Sequence, residues 1–240
     1  MQHSERLLDF PSLLNARDLW GYPTVDGAQT RWRSLLRSDD LAQLIPEGVQ
    51  ALLDFGVRTV VDLRWSEEIA LNPSPIAALA PQIRYVHASL LADTPARWRE
   101  LARNCEKEQW KCVVLEQART ELRDVLKIIA AAPAGPLLFH CVAGKDRTGI
   151  IAAVMLTLAD VRPEAIASDY AVSTRMLGDA YIQRYQDVDP QDVLETVRCP
   201  EQGVHNMLRY LHSCGGIREY LGTIGLNEME IARLRARLRD

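Results

Sequence analysis

Cys141 and Arg147 stand six positions apart in the stretch LLFHCVAGKDRTGII (137–151), with Lys145 and Asp146 between them and Thr148 just after. An apolar run precedes the cysteine and another follows the charges, so the stretch reads as a strand, a tight turn and a helix. A turn of this length can curl until successive main-chain N–H groups point into one hollow, a nest suited to a tetrahedral oxyanion. The helix starting near Arg147 brings its positive end to the same place. Cys141, Val142, Ala143, Gly144, Lys145, Asp146 and Arg147 are therefore the expected phosphate-binding residues. Gly144 would permit the sharp turn, and Gly149 would let the helix lie close against the sheet.

Positive surroundings of that kind favour a thiolate, which is the nucleophilic form of cysteine. On the floor of a phosphate cradle, Cys141 would be placed for in-line attack on phosphorus. Arg147 can take two equatorial phosphoryl oxygens on its planar fork, which a lysine cannot do. Thr148 is expected to donate its hydroxyl to the sulfur and ease its departure. His140 reads as a residue that orders the loop through backbone hydrogen bonds. Lys145 places a second cation at the rim, evenly balanced between a substrate contact and a solvated charge.

HCVAGKDRTG resembles the active-site loop of the cysteine-dependent protein tyrosine phosphatases. More narrowly, it is similar to a bacterial family with an HCxAGKDRTG loop, to which secreted mycobacterial and listerial phosphatases belong. The resemblance continues through NARDLWGYPT (15–24), LLRSDDL (35–41), GVRTVVDLR (56–64) and GGIREYLGTIGL (215–226). It implies metal-free hydrolysis of phosphotyrosine, extended in some members to phosphoserine, phosphothreonine or phosphoinositides. It also gives the proton-donor role to Asp146. Asp93, the nearest match to a second acidic residue after the third strand, becomes a helper or alternative. In phosphoinositide phosphatases with a CxAGKGRTG loop, the lysine matching Lys145 contacts anionic head groups, which suggests substrates with more than one phosphate. Ala16 and Trp20 depart from that family's aromatic and glycine, and WSEE (65–68) stands where a serine is more usual. These changes are expected to alter loop packing or pocket shape and to leave the Cys–Arg chemistry untouched.

Such a loop needs a rigid frame. RWRSLLRS (31–38), RTVVDLR (58–64), IRYVHASL (83–90) and PLLFHC (136–141) read as strands, and LAQLIPEGVQALLDFG (41–56) as a helix stopped by Gly56. Strand–helix–strand order implies a parallel pair. Helical patterning covers about 95–132, where Leu122, Val125, Leu126 and Ile129 form one stripe, and also 147–159, 163–188 and 201–239. Gly225 and Asn227 frame a helix start. Cys105 and Cys112 are expected on one helix face, Arg17 with Asp18 and Asp62 with Arg64 as ion-pair or anchoring residues, and Trp98 and Trp110 as packing. The expected architecture is α/β: a small central, mostly parallel sheet flanked by helices, with a helical C-terminal part. The resemblance makes it phosphotyrosine-phosphatase-like, a single phosphatase domain over 1–240. Residues from about 95 to 130 are expected as either a helical lid or packed surface, and about 160–240 as the helical part.

Composition narrows the classes. A net charge of −4 argues against nucleic acid as the main partner. The near-apolar run IIAAVMLTLA (150–159) is too short to span a bilayer. The first residues lack a basic-then-apolar leader, so a cytoplasmic location is expected, with signal-less export left open. Five cysteines without framework spacing suggest reduced thiols. No histidine or cysteine pattern calls for a metal, and no cofactor is expected. The expected partners are a phosphorylated protein or a phosphoinositide, without stable membrane insertion; oligomeric state stays open. A module that binds phosphorylated ligands without turnover is the alternative reading.

Overall fold

The computed structural model describes residues 6–184 and 186–239. Its strands are β1 (Arg17–Asp18), β2 (Leu35–Ser38), β3 (Thr59–Asp62), β4 (Arg84–His87) and β5 (Leu137–His140). They form one sheet in the order β1-β2-β5-β3-β4, all parallel except β1. β5 is the central strand. Ser38 and Asp62 lie in register with His140 on either side, so the carboxyl ends of three strands finish side by side.

Period-two alternation explains why both faces of this sheet are covered. Leu35, Val61, Leu137 and Phe139 enter the larger core, while Leu36, Val60 and Leu138 enter the smaller one on the opposite face. The smaller core is closed by α1 (Pro46–Phe55) and α3 (Ile76–Leu79), with the short α2 (Ser66–Leu71) between them in the chain. The larger is built from α4 (Pro95–Arg103), α5 (Trp110–Gln117), α6 (Arg119–Ala131), α7 (Asp146–Leu158), α8 (Pro163–Arg184), α10 (Glu201–Ser213), α11 (Ile217–Thr223) and α12 (Glu228–Leu238). The remaining helix, α9 (Pro190–Val197), packs on α8. α7 is buried along nearly its whole length, as its apolar sequence requires.

Local chemistry moved several expected boundaries. The strand expected over 31–38 is cut to Leu35–Ser38 because the chain turns at 32–33, with Arg33 at φ 54°. The expected helix over 41–56 opens as a 3₁₀ turn capped by Asp40, and α1 begins only at Pro46. Proline fits the first helical turn and blocks continuation from the preceding one. Gly56, at φ 91°, stops α1 as expected. The 95–132 region is three helices, so Cys105 lies in the connection between α4 and α5 and shares no helix with Cys112. The single helix expected over 163–188 ends at Arg184, with a turn at 186–187 before Asp189 caps α9; position 185 lies outside the described residues. At α12, Asn227 and Glu230 form a reciprocal capping box. Trp98 is fully buried and meets Trp110 edge-to-face. No helix among the described residues is long and apolar enough to cross a membrane.

Candidate active site

His140 ends β5 and Asp146 begins α7, so residues 141–145 turn at the carboxyl edge of the sheet. Parallel α/β sheets bind their ligands at that edge. The turn is held from outside by its carbonyls. Asp40 donates its amide to Val142 O at 2.9 Å. Asn15 Nδ2 donates to Ala143 O at 3.0 Å and Gly144 O at 3.2 Å, and Arg37 donates to Gly144 O at 2.6 Å. In a trans peptide the N–H points opposite to its C=O, so fixing these carbonyls outward turns the amides inward. Among the described residues, no protein acceptor takes the amide hydrogens of 142–147. That leaves an anion nest at the start of α7.

The donors that fix the carbonyls are fixed in turn. Arg17 donates to Asn15 Oδ1 at 2.6 Å, which forces the other end of that amide toward the turn. Arg17 and Arg37 both bind the Asp169 carboxylate of α8, at 2.8 and 2.6 Å, and Tyr22 adds its hydroxyl at 2.8 Å. All four side chains are buried. Burial pushes the Asp169 carboxyl up, but Arg17 and Arg37 outweigh it and hold the group well below the usual carboxylate range. Arg17 therefore pairs with Asp169; its expected neighbour, Asp18, instead accepts the Arg33 amide. Gly144 sits at φ 64°, and a Cβ there would lie 2.4 Å from Ser38 O. Gly149 is required by the Tyr170 ring of α8, 2.8 Å from a Cβ, whereas the sheet was the expected neighbour.

Cys141, the first residue of the turn, is 3% exposed and belongs to the larger core. Arg147 is presented on a seat of two residues. Its terminal nitrogens bind both Glu68 oxygens, at 2.6 and 2.8 Å, and its guanidinium lies 4.9 Å from the centre of the Trp65 ring. Glu68 also accepts the Trp65 amide at 2.8 Å, fixing the start of α2. Burial works against the Arg147 charge, but Glu68 and Cys141 favour it more strongly, so the group stays cationic. Trp65 and Glu68, both in the segment where the sequence departs from the family pattern, are the residues that hold the guanidinium.

Asp146 is the first residue of α7. It accepts the Tyr170 hydroxyl at 2.7 Å and lies 3.5 Å from Lys145 Nζ. Burial raises its carboxyl, yet Lys145, Lys111 and Tyr170 together bring it below the ordinary value. Lys145 reaches to Thr196 O at 2.9 Å, near the end of α9. Asp93 is exposed and accepts the Ser66 amide at 3.2 Å, next in the chain to the Trp65 seat. Thr148 Oγ1 is buried and makes no hydrogen bond among the described residues, so the expected contact to sulfur is not formed here. His140 Nδ1 lies 3.2 Å from Cys141 O, a loop-ordering geometry, and Nε2 lies 3.5 Å from Asp62. Burial lowers its pKa. Asp62 binds Arg64 at 2.6 Å, and Arg64 also reaches Asp40. A cleft of about 230 Å³ opens beside Asp146, lined by Lys145, Tyr170, Trp110, Lys107 and Arg198. Among the described residues, no group of three His, Cys, Asp or Glu could hold a metal ion.

Sequence reasoning missed Glu68, Arg37, Asp169, Tyr170 and Lys111. Asn15, Arg37 and Glu68 lay in segments already singled out, NARDL, LLRSDDL and WSEE, without being assigned a part in the site. Asp169, Tyr170 and Lys111 left no signal, and the contacts of Arg37, Glu68 and Tyr170 with the loop cross 24 to 107 residues of chain.

The fold is a mostly parallel α/β sheet in which Cys141 opens a turn of unengaged amides at the carboxyl edge, and Glu68 and Trp65 orient the Arg147 guanidinium. A model of the tyrosine phosphatase family matches residues 8–240. A tyrosine-protein phosphatase of Nostoc commune is 32% identical over 218 residues, covering 85% of this chain and 74% of its own. The triple specificity protein phosphatase PtpB of Mycobacterium tuberculosis is 24% identical over 264 aligned residues, 90% of this chain and 95% of its own. Among solved structures, P. aeruginosa TpbA aligns at 20% identity over 68% of this chain and 86% of its own, with a TM-score of 0.33. The assignment rests on the family match: the chain belongs to the tyrosine phosphatase family and is a phosphatase.

Proposed function

We propose that the protein hydrolyses phosphomonoesters, phosphotyrosine first, through a phosphocysteine intermediate. The thiolate of Cys141 attacks phosphorus; the S–P bond forms as the P–O bond to the leaving group breaks, and Asp146 gives that oxygen its proton. Water then attacks phosphorus and passes a proton to Asp146, the S–P bond breaks, and inorganic phosphate leaves with the thiolate restored. The amides of the nest and Arg147 hold the equatorial oxygens through both steps. A guanidinium already oriented by Glu68 and Trp65 loses less side-chain freedom when phosphate binds. Thr148, with its buried and unengaged hydroxyl, is the group available to the sulfur as it leaves phosphorus. Asp93 is the alternative proton donor, and Lys145 the residue that would meet a second phosphate.

The observation that supports this reading is the outward clamping of the Ala143 and Gly144 carbonyls by Asn15 and Arg37, because it leaves the following amides of the turn free for an anion. The relative named as a triple specificity protein phosphatase supports a substrate range wider than phosphotyrosine alone. Cys141→Ser should abolish release of p-nitrophenol from its phosphate while phosphate binding stays measurable. Wild-type turnover should be blocked by vanadate and indifferent to chelators. Full activity in Cys141→Ser would remove the nucleophile assignment, and phosphopeptide binding without wild-type turnover would favour the binding-module reading. Parallel assays of phosphotyrosine peptides, phosphoserine/threonine peptides and phosphoinositides rank the substrates.

A further inference from the structure

Lys111 is a lysine where the fold gives no ordinary reason for one. It is 1% exposed, on α5, with Nζ 3.7 Å from the centre of the Tyr170 ring. Room for the ammonium is left by Gly203 of α10, where a Cβ would stand 3.2 Å from Nζ. Room for the ring is left by Gly149, one turn along α7 from Asp146. Two glycines thus open the space in which Lys111 lies against a phenol, its charge disfavoured by burial and favoured by Asp146, and that phenol donates to the Asp146 carboxylate at 2.7 Å. Burial pushes the phenol's ionisation well up, and Asp146 and Cys199 push it further, so the hydroxyl keeps its proton and stays a donor.

We propose that Tyr170, backed by Lys111, is a positioning residue for Asp146: its hydroxyl fixes the carboxylate at the rim of the nest. A cation against the ring withdraws density from the phenol and strengthens its O–H as a donor. The groups that face Asp146 are Lys145 and Arg147 beside it in the chain, Lys111 from α5, Tyr170 from α8 and the Cys199 thiol after α9, with Lys107 and Arg198 across the cleft. Cations dominate that list. Burial already opposes them, and the negative charge of a bound phosphoryl group adds to it, so substrate binding itself favours proton uptake by Asp146. The catalytic consequence rests on the assignment of Asp146 as proton donor; the positioning does not.

The test follows the Asp146 carboxyl by ¹³C NMR titration in the Cys141→Ser background, comparing Tyr170 with Tyr170→Phe and Lys111 with Lys111→Met. Tyr170→Phe removes one oxygen, and Lys111→Met keeps the volume while removing the charge. Both variants should move the Asp146 titration at least half a pH unit upward, and in the active enzyme the alkaline limb of kcat/KM should move the same way. A merely packing role would lower stability and leave both readouts in place. An unmoved titration in Tyr170→Phe overturns the proposal, and a movement in Tyr170→Phe alone overturns the part given to Lys111. If Asp146→Asn keeps the alkaline limb, the proton-donor assignment fails while the titration still decides the positioning.

Discussion

Gly144→Ala tests whether the end of β2 sets the height of the phosphate nest. An added Cβ would meet three backbone atoms: Ser38 O at 2.4 Å, Ser38 C at 2.6 Å and Asp39 N at 2.7 Å. None is the end of a flexible side chain. Comfortable contact is about 3.5 Å, so loop and strand must part by roughly 1 Å. The φ of 64° adds about 1–2 kcal/mol of strain for a residue with a Cβ. In a chain of this size that strain alone lowers Tm by roughly 2–8 °C. The displacement acts on chemistry separately. A shift of about 1 Å in a reacting group costs roughly 10²-fold in rate. Gly144→Ala should therefore remain folded at 25 °C, show a modestly lowered Tm by calorimetry, and lose about two orders of magnitude in kcat on p-nitrophenyl phosphate. A variant with the lowered Tm but kcat within threefold of wild type would refute the reasoning, because the nest would then not depend on its contact with β2.

Three further outcomes follow from the same geometry. Glu68→Gln keeps the shape of the Arg147 seat and removes its charge; kcat/KM should fall roughly tenfold, about 1.4 kcal/mol, and unchanged phosphate affinity with unchanged turnover would show that the seat is idle. Asp169→Asn leaves the buried Arg17 and Arg37 guanidiniums without their carboxylate, so stability should drop by about 3–5 kcal/mol, read as a lower midpoint in urea together with weaker phosphate binding. Asp18 is buried with Oδ1 unpartnered, and burial raises its carboxyl to about 7. In the unfolded chain it titrates near 4. The folded state therefore holds this proton more tightly; the stability it contributes is present below about pH 4 and is lost as pH climbs to about 7, by up to roughly 4 kcal/mol. Asp18→Asn should flatten that slope and be the more stable protein at pH 7.5, and parallel stability curves for the two would refute the assignment.

The loop was legible because its information is local. Strand, glycine turn and helix are specified within residues 137–151, and so is the cysteine-to-arginine spacing that lets one turn do two jobs. Helix stops at Gly56 and the cap at Asn227 were legible for the same reason. Chain breaks inside long helical patterns were not, since the apolar stripe persists through connections and only Pro46 or Pro190 betrays the new start.

What holds the loop is non-local by physical necessity. A nest must turn its carbonyls outward, and buried carbonyls need donors. The loop's own residues cannot supply them, because their amides face the anion. Donors must come from elsewhere in the chain, here Asn15, 128 positions before Ala143, and Arg37, 107 before Gly144. Burying Arg37 and the Arg17 that orients Asn15 then demands an anion, which α8 supplies as Asp169, 152 positions beyond Arg17. Two arginines, an asparagine and an aspartate, drawn from three separate segments, are thus required together by one local motif. The same logic predicts where to look when the motif alone is known: for a buried cation behind the loop, and for the carboxylate that keeps it there.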